Sequence, residues 1–498
     1  MNNNIIYQID IREFFNRLKS EDSKIKTLLD LPDKFFFSLS QLGINYLWLL
    51  GIYEPSQLSK KISIEMKELH RRYYESLPDW KEEDVIGSPY AIKSYKIWEE
   101  IGGEKIYHAF REKIYKKFGL KIILDFVPNH LAIDNPIVKK HPEYFINIED
   151  SSKFNAEDYT EIEINNKKYR IAHGRDPYFP AWKDTLQLDY RSKGARNFMI
   201  NELLKLSEKC DGVRCDMSML VLSEIFYNNW KQFPPPKDLV PAAKEFWFEA
   251  IQKVKKVNPD FIFIAEVYWN KEQDLLDLGF DYVYDKKFYE FIVQNNIGII
   301  NEYIKRIFAN HRKRFLFLEN HDEPRSAHIF STEHLKAVAT LVYSLPSMKL
   351  IYDGQLEGRK FPHAIQLKRL HPEPIDYDLR NHYLKLFSAI KNSTISRGYF
   401  KPLTPQPAWQ GSVSNYNFVI FFYEDDQLNK DLIVINLSDY QSQCKVKIES
   451  FDLIGKTFLI KDRLSSEEYI RSGDEMFYSG LYLDLKPYQS QIFQFIPQ

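Results

Sequence analysis

Cysteine is scarce in this chain, with three residues among 498, and no apolar run approaches the roughly 18 residues needed to span a bilayer. Cys210, Cys215 and Cys444 are too few for a disulfide framework. An excess of one charge is missing too, because 68 Lys and Arg balance 69 Asp and Glu. This balance argues against a nucleic acid or an anionic membrane as partner. The N-terminal residues lack the hydrophobic region of a signal peptide, so we expect a cytoplasmic protein.

The chain does show a regular alternation of strand-like runs with longer amphipathic stretches. Eight runs rich in apolar residues are each followed by helical material, which is the pattern of a closed (β/α)8 TIM barrel in an α/β protein. The predicted strands are Ile5–Asp10, Tyr46–Leu50, Lys121–Phe126, Val213–Asp216, Phe261–Glu266, Tyr282–Tyr284, Phe315–Glu319 and Lys349–Tyr352. Because 498 residues exceed one ordinary core, we expect two or three domains.

Two insertions lengthen the barrel beyond its usual size of about 250 residues. Between residues 55 and 87, a charged segment places four apolar residues on one helical face. These are Ile62, Met66, Leu69 and Tyr73. Residues 131–190 are polar, aromatic and rich in turn residues, and their runs Y-T-E-I-E-I and K-K-Y-R-I-A predict a small hairpin. We therefore expect a barrel over 1–130 and 191–390, with 131–190 as a small subdomain inserted after the third strand.

After about residue 395, the runs become short and are separated by turn residues. The predicted strands are Phe418–Tyr423, Leu432–Asn436, Cys444–Ile448, Thr457–Ile460, Leu481–Leu485 and Gln491–Phe495. This pattern is typical of an all-β domain. We expect residues 391–498 to form a C-terminal antiparallel β-sandwich.

Four segments end in acidic or polar residues where a barrel strand would finish. They are I-I-L-D-F-V-P-N-H to His130, G-V-R-C-D to Asp216, F-I-F-I-A-E to Glu266 and F-L-E-N-H-D to Asp322. A carboxylate at the end of an apolar strand is costly to bury without a function. Because the carboxyl ends of barrel strands meet at one face, the segments predict an active site there.

The residue types suit the cleavage of an acetal between sugars. That reaction needs an acid for the leaving oxygen and a carboxylate on the other side of the anomeric carbon. Arg214 precedes Asp216 by two residues, so both side chains point to the same side of the strand. The guanidinium would keep Asp216 ionised, as a nucleophile requires, while desolvation on an apolar strand would favour the protonated form of Glu266.

These four segments, in order and on the predicted strands, resemble the four signature regions of glycoside hydrolase family 13, the α-amylase family. The resemblance covers essentially the whole chain. It implies that Asp216 is the nucleophile, that Glu266 is the general acid/base and that Asp322 stabilises the transition state and binds ring hydroxyls. The substrate-binding residues that the resemblance implies are Arg214, which orients Asp216; His130 and His321, which bind sugar hydroxyls; Asp125, at the floor of the subsite; and Tyr90 of G-S-P-Y, which stacks on the same glucose.

The resemblance also concerns cofactors. It implies no required cofactor but allows a structural Ca²⁺, since Asn129 occupies a position that often binds calcium in this family. A capping or turn hydrogen bond is an equally good interpretation of Asn129. The stretch D-T-L-Q-L-D-Y, from Asp184 to Tyr190, resembles the one that closes the inserted subdomain.

One departure from the family concerns the side of the leaving group. Many endo-acting α-amylases have a Lys-His pair after the nucleophile, where this chain has Met219 and Leu220. Neither side chain can donate a hydrogen bond to a sugar in this way. Glu323 and Arg325, directly after Asp322, would lie at the same rim and could replace the lost contacts.

Three functions are open at this point. We expect a retaining α-glycosidase that acts on α-glucans or maltooligosaccharides by double displacement. The alternative is an α-glucan transglycosylase on the same site, such as a glucanotransferase or a trehalose-forming or sucrose-type enzyme. A non-catalytic barrel that serves as a binding subunit is the third. The sequence leaves linkage, chain length and oligomeric state open.

Overall fold

The computed structural model describes residues 4–148, 154–241, 244–308 and 312–498. Its first twelve strands are β1 Ile5–Asp10, β2 Tyr46–Leu50, β3 Lys121–Phe126, β4 His130–Ala132, β5 Tyr159–Ile164, β6 Lys167–Ala172, β7 Thr185–Gln187, β8 Gly212–Cys215, β9 Ile262–Ala265, β10 Tyr282–Tyr284, β11 Arg314–Leu316 and β12 Met348–Tyr352. The α-helices are α1 Ile11–Glu21, α2 Asp33–Gln41, α3 Gln57–Glu65, α4 Lys67–Ser76, α5 Gly103–Phe118, α6 Pro136–Lys140, α7 Lys193–Lys209, α8 Ser223–Trp230, α9 Phe246–Val257, α10 Glu272–Asp277, α11 Lys286–Val293, α12 Ile297–Ile307, α13 Ser326–Ile329, α14 Thr332–Ser344 and α15 Tyr377–Lys391. None of the helices in the described part of the chain combines the length and apolar content that crossing a membrane requires.

Eight parallel strands close into a barrel in the order β1, β2, β3, β8, β9, β10, β11, β12, and β12 pairs back to β1. The predicted TIM barrel is therefore confirmed. Its strands are apolar and almost fully buried, as expected where helices cover a parallel sheet. Strands β8 and β9 end one residue before Asp216 and Glu266, so both carboxylates begin the loops at the carboxyl end of the barrel.

The register of the central strands places the site residues side by side. Asp125 on β3 pairs with Arg214 on β8, and Arg214 pairs with Ile264 on β9. Gly212 opens β8, where a Cβ would lie 2.6 Å from the carbonyl oxygen of Ile262. Glycine is therefore required for this close approach of the strands.

The insertion after β2 differs from the prediction of a single helical face. It forms two helices, α3 and α4, separated at Met66, whose backbone is extended with φ −75° and ψ 98°. Ser56 caps α3, since its hydroxyl accepts a hydrogen bond from the backbone N–H of Ser59. Tyr73 of α4 packs with Leu77 in a small cluster of its own.

The subdomain after β3 contains two small antiparallel sheets, β4 with β7 and β5 with β6. The second of these is the predicted hairpin. Its turn is formed by Asn165 and Asn166, which have φ of 51° and 60°. Left-handed conformations at both positions suit the twist of a two-residue hairpin, and asparagine tolerates them well.

The C-terminal strands form two antiparallel sheets. They are β13 Tyr399–Leu403, β14 Gln406–Pro407, β15 Phe418–Glu424, β16 Lys430–Asn436, β17 Ser442–Val446, β18 Thr457–Asp462, β19 Glu468–Ser472, β20 Leu481–Leu485 and β21 Ser490–Pro497. One sheet has the order β13, β15, β16, β21, β18, β19, and the other has the order β14, β17, β20. Strands β13, β14 and β19 were not predicted, because they are short or exposed edge strands with little apolar patterning.

Candidate active site

Arg214 lies at the centre of a group of carboxylates at the carboxyl end of the barrel. Its Nη1 is 2.7 Å from Oδ1 of Asp216 and 3.7 Å from Oδ1 of Asp125. Its Nη2 is 2.9 Å from Oε2 of Glu266 and 3.9 Å from Oδ2 of Asp322. Arg214 itself is buried, so these carboxylates compensate for the desolvation of its charge.

Aromatic rings enclose the guanidinium of Arg214. Its Cζ lies 5.2 Å to 5.6 Å from the ring centres of Trp48, Tyr90 and Tyr284. Arg214 also donates a hydrogen bond from Nε to the hydroxyl of Tyr284 at 3.2 Å. These contacts fix the plane of the guanidinium, and therefore the positions of the carboxylates bound to it.

Glu266 is held by donors on both of its oxygens. Besides the contact with Arg214, Oε2 accepts a hydrogen bond from the backbone N–H of Met217 at 2.7 Å. Oε1 accepts one from the hydroxyl of Tyr268 at 2.9 Å. Burial, opposed by Arg214 and reinforced by the charge of Asp216, raises the pKa of Glu266 to about 7. The acid form is thus accessible near neutral pH, as predicted from the apolar strand.

Asp216 and Asp125 flank Arg214 on its other side. Burial raises the pKa of Asp216, and the Arg214 guanidinium opposes that rise. Burial likewise raises the pKa of Asp125 to about 6, against the influence of Arg214 and of a 2.9 Å hydrogen bond from the Trp48 indole. The expected contact of Arg214 with Asp216 is present, but burial outweighs its effect on the pKa.

Asp322 differs from the other carboxylates because its side chain is 43% exposed at the open end of the site. Its Oδ2 lies 3.0 Å from Nε2 of His321, which also contacts the Tyr90 hydroxyl at 2.6 Å. Burial acts to raise the pKa of Asp322, but His321 outweighs it and the pKa falls to about 2. On its far side, His321 Nδ1 lies 2.7 Å from the amide nitrogen of Gln8.

His130 approaches from the inserted subdomain, where it begins β4. Its ring packs against Trp182 with the ring centres 4.8 Å apart, and it contacts the backbone of Tyr90. Burial lowers the pKa of His130 to about 4, so the ring is neutral near pH 7. The structure therefore connects His130, through Tyr90, with His321 and Asp322.

Of the two residues expected at the rim on the leaving-group side, Arg325 lies elsewhere and Glu323 is paired with a neighbour. Arg325 is buried, and it donates to Oε1 of Glu319 at 2.7 Å and to the backbone carbonyl of Asp353 at 2.8 Å. The prediction of Arg325 as a rim contact is wrong, because Glu319 holds its guanidinium beneath the surface. Glu323 is half-buried and forms an ion pair with Lys286. Its carboxylate is therefore already neutralised by a neighbour.

Met219 and Leu220 also face away from the solvent, since both are buried in a 3₁₀ turn after β8. The turn begins at Met217, whose left-handed backbone has φ 42°. Neither side chain is therefore presented at the surface of the site.

Asn129 does not fit the calcium site that the family allows. Its Oδ1 accepts a hydrogen bond from Nε2 of Gln187 at 3.0 Å, and its Nδ2 donates one to Oε1 of Gln187 at 3.1 Å. The amide hydrogens of Gln187 thus point at the oxygen that a cation would need. Across the described ranges, no cluster of three or more Asp, Glu, His or Cys side chains could hold a metal.

Four contacts of the site escaped the sequence analysis: Gln8, Trp48, Tyr268 and Tyr284. Gln8 could have been found as a polar residue within the apolar run of β1. Tyr268 follows Glu266 by two residues, the same spacing that identified Arg214 beside Asp216. Trp48 and Tyr284 lie in strands that are apolar throughout, and aromatic residues there carry no distinguishing signal.

The chain matches known proteins over most of its length. The family model described as "Alpha amylase, catalytic domain" matches residues 36–377. The Alpha-amylase 2 of Dictyoglomus thermophilum is 23% identical over 505 residues, covering 94% of this chain and 73% of that protein. Among solved structures, the maltogenic alpha-amylase AmyB from Thermotoga neapolitana has a TM-score of 0.70 at 20% identity and covers 100% of both chains. The trehalose-6-phosphate hydrolase of Bacillus licheniformis has a TM-score of 0.65 at 15% identity and covers 99% of both.

The solved structures are alike in fold, and the residues that the family model matches include Asp216, Glu266 and Asp322. This chain therefore belongs to the α-amylase family, glycoside hydrolase family 13, whose enzymes act on glycosidic bonds.

Proposed function

We propose that the protein is a retaining α-glycosidase that cleaves α-glucans or maltooligosaccharides by double displacement. The observation that carries the proposal is the shared contact of Asp216 and Glu266 with one buried guanidinium, that of Arg214. Two carboxylates on one guanidinium favour the close spacing, about 5–5.5 Å, of retaining enzymes.

The two carboxylates differ in the roles their surroundings allow. Glu266, with its pKa raised to about 7, can carry a proton to the glycosidic oxygen. As the C1–O bond breaks, an oxygen of Asp216 forms a bond to C1 and gives a β-glycosyl enzyme. Glu266, now ionised, removes a proton from water, whose oxygen displaces Asp216. The product keeps the α configuration.

Asp322 and its neighbours would bind the sugar that is attacked. Its carboxylate stays ionised, since its pKa is about 2, and it is exposed to the cleft. There it can accept hydrogen bonds from ring hydroxyls and stabilise the positive charge that develops at C1. Tyr90, half-buried beside His321, offers an aromatic face for the same sugar, and the neutral ring of His130 can bind a hydroxyl.

The proposal is tested with the variants Asp216→Asn and Glu266→Gln. We expect Glu266→Gln to lose about 10²–10⁴ in rate on maltoheptaose, and Asp216→Asn to lose at least as much. The control Glu224→Gln changes a carboxylate that is 75% exposed on α8 and should behave as the parent enzyme does. Proton NMR of the first product should show the α anomer. A β anomer, or full activity of Asp216→Asn, would overturn the proposal.

Transfer to a sugar acceptor remains the second candidate, and the exposed aromatic residues near Glu266 favour it. Tyr178 and Phe179 are 71% and 70% exposed, and the ring of Tyr178 contacts Trp269, three residues after Glu266. Such surfaces can hold an acceptor in place of water. Chromatography of the products from maltoheptaose decides the question, because hydrolysis yields shortened chains and transfer yields longer ones. Pullulan and trehalose, tested in parallel, report the linkage.

A further inference from the structure

Tyr268 occupies a strained turn directly after the strand that carries Glu266. Its backbone carbonyl accepts a hydrogen bond from the N–H of Lys271 at 3.2 Å, which closes a four-residue turn. The two central residues, Trp269 and Asn270, have left-handed backbones with φ of 59° and 63°. This conformation is unfavourable for tryptophan, and such strain is retained where the position of a nearby group matters.

The Tyr268 hydroxyl donates a hydrogen bond to one particular oxygen of Glu266. That oxygen is Oε1, at 2.9 Å. The other oxygen, Oε2, already accepts from the Met217 backbone at 2.7 Å and contacts Nη2 of Arg214 at 2.9 Å. A proton on Oε2 would face two further donors, so the acidic proton must reside on Oε1.

We propose that Tyr268 is a positioning residue that fixes Oε1 of Glu266 as the proton-donating oxygen and stabilises the carboxylate left when the proton departs. The inference rests on the proposed role of Glu266 as general acid. In the first step, the Oε1–H bond breaks, the proton moves to the glycosidic oxygen, and the negative charge left on Glu266 accepts the Tyr268 O–H.

Tyr268 keeps its own proton throughout this step. Burial and the neighbouring charge of Glu266 raise the pKa of Tyr268 well above 10, so the hydroxyl remains a donor over the working pH range. A hydrogen bond to the charged form of an acid makes it the stronger acid. Removing the hydroxyl should therefore raise the pKa of Glu266 and impair proton transfer to poor leaving groups.

The test is the variant Tyr268→Phe, which removes one oxygen and keeps the ring. We expect kcat/KM on maltoheptaose to fall by about 10- to 100-fold. On α-maltosyl fluoride, whose leaving group needs little protonation, we expect a change below about threefold. The descending limb of the pH profile on maltoheptaose should move to higher pH. A purely structural role would affect both substrates alike.

Two further variants separate the possible results. Tyr227→Phe removes the hydroxyl of a tyrosine that is 53% exposed on α8, and it should match the parent on both substrates. Glu266→Gln should lose kcat/KM on maltoheptaose and keep kcat/KM on the fluoride, because kcat/KM reports the first displacement, in which the fluoride needs little acid. If Glu266→Gln gives this result while Tyr268→Phe lowers kcat/KM equally on both substrates, the role of Tyr268 is refuted and that of Glu266 stands. The same conclusion follows if Tyr268→Phe leaves the descending limb of the pH profile unchanged. If Glu266→Gln cleaves maltoheptaose normally, the proposed function itself is wrong. A thermal melt of each variant confirms the fold.

Discussion

Arg214 determines the electrostatics of the site at the scale of single residues. One guanidinium contacts Asp216 and Glu266 directly and lies within 4 Å of Asp125 and Asp322. One positive charge cannot offset the charges of three buried carboxylates, those of Asp125, Asp216 and Glu266, so some of these groups must hold protons. Glu266 is suited to hold a proton, because its pKa is raised to about 7, against about 6 for Asp125, whereas Asp322 is exposed and pairs with His321. The arrangement thus separates an acid from the ionised groups around it.

The pH dependence of activity follows from the pKa of Glu266, which burial raises to about 7. The reactive form of Glu266 is protonated, so kcat/KM on maltoheptaose should decline as the pH rises through about 7. Well above that value, it should lose about tenfold per pH unit. The measurement is kcat/KM between pH 5 and 10, with α-maltosyl fluoride as the substrate that needs little acid. A profile on maltoheptaose that stays flat to pH 9 would contradict the assignment.

Period-two alternation on the strands was the most useful sequence signal for single residues. It placed Arg214 beside Asp216, and the structure has them 2.7 Å apart. Arg325 shows the limit of this reasoning, because it lies beyond the end of β11, in a loop where alternation no longer applies. There, the buried carboxylate of Glu319 determines where the guanidinium goes. Such a pairing depends on tertiary contacts that spacing in the sequence does not encode.

At the scale of elements, the eight barrel strands could be predicted because each is a buried apolar run bounded by turn residues. The insertions were harder. Helices α3 and α4 share one apolar pattern, yet the extended backbone of Met66 separates them. Edge strand β19 has alternating exposed residues and little apolar content, so its extended conformation depends on hydrogen bonding to β18. Periodicity reports burial, and these segments are weakly buried.

The junction between β4 and β7 joins the subdomain to the barrel, and we propose that it needs no calcium. Asn129 and Gln187 bind each other through both amide groups, with Gln187 also donating to the Asn129 backbone at 2.9 Å. Treatment with EDTA should therefore leave the melting temperature and the activity unchanged. A fall of several degrees on chelation would refute this.

The variant Gln187→Glu provides the complementary experiment. It replaces the donating amide with a carboxylate that faces Oδ1 of Asn129, so a buried acceptor is left without its donor. We expect a loss of about 1–3 kcal/mol in the free energy of unfolding. Because the new carboxylate is a calcium ligand, added Ca²⁺ should recover part of this loss in the variant and have no effect on the parent. Gln252→Glu, at an exposed position of α9, is the control.

At the scale of the whole molecule, β15 belongs to two cores at once. Alternate residues Val419, Phe421 and Tyr423 join the core of the barrel, while Phe418, Ile420 and Phe422 join the core between the two C-terminal sheets. A hydrogen bond also links β15 to the barrel, since the Tyr423 hydroxyl donates to the backbone carbonyl of Ser344 on α14 at 2.7 Å. The C-terminal sheets therefore cover apolar surface that the barrel would otherwise expose to water.

This shared strand predicts that the barrel and the C-terminal sheets unfold together. Phe422→Ala should test the coupling, because Phe422 is buried between the C-terminal sheets and does not join the barrel core. The truncation should cost about 3–5 kcal/mol. If unfolding is cooperative, activity will be lost at the same lower temperature as the calorimetric transition, although the substitution is outside the barrel.

Phe421→Ala, on the opposite face of β15, should act in the same way, whereas Tyr440→Ala, at a residue 68% exposed, should change neither temperature. An early calorimetric transition in Phe422→Ala with activity preserved would show that the C-terminal sheets melt independently, and the contact through Phe421 and Tyr423 would then not couple the two parts.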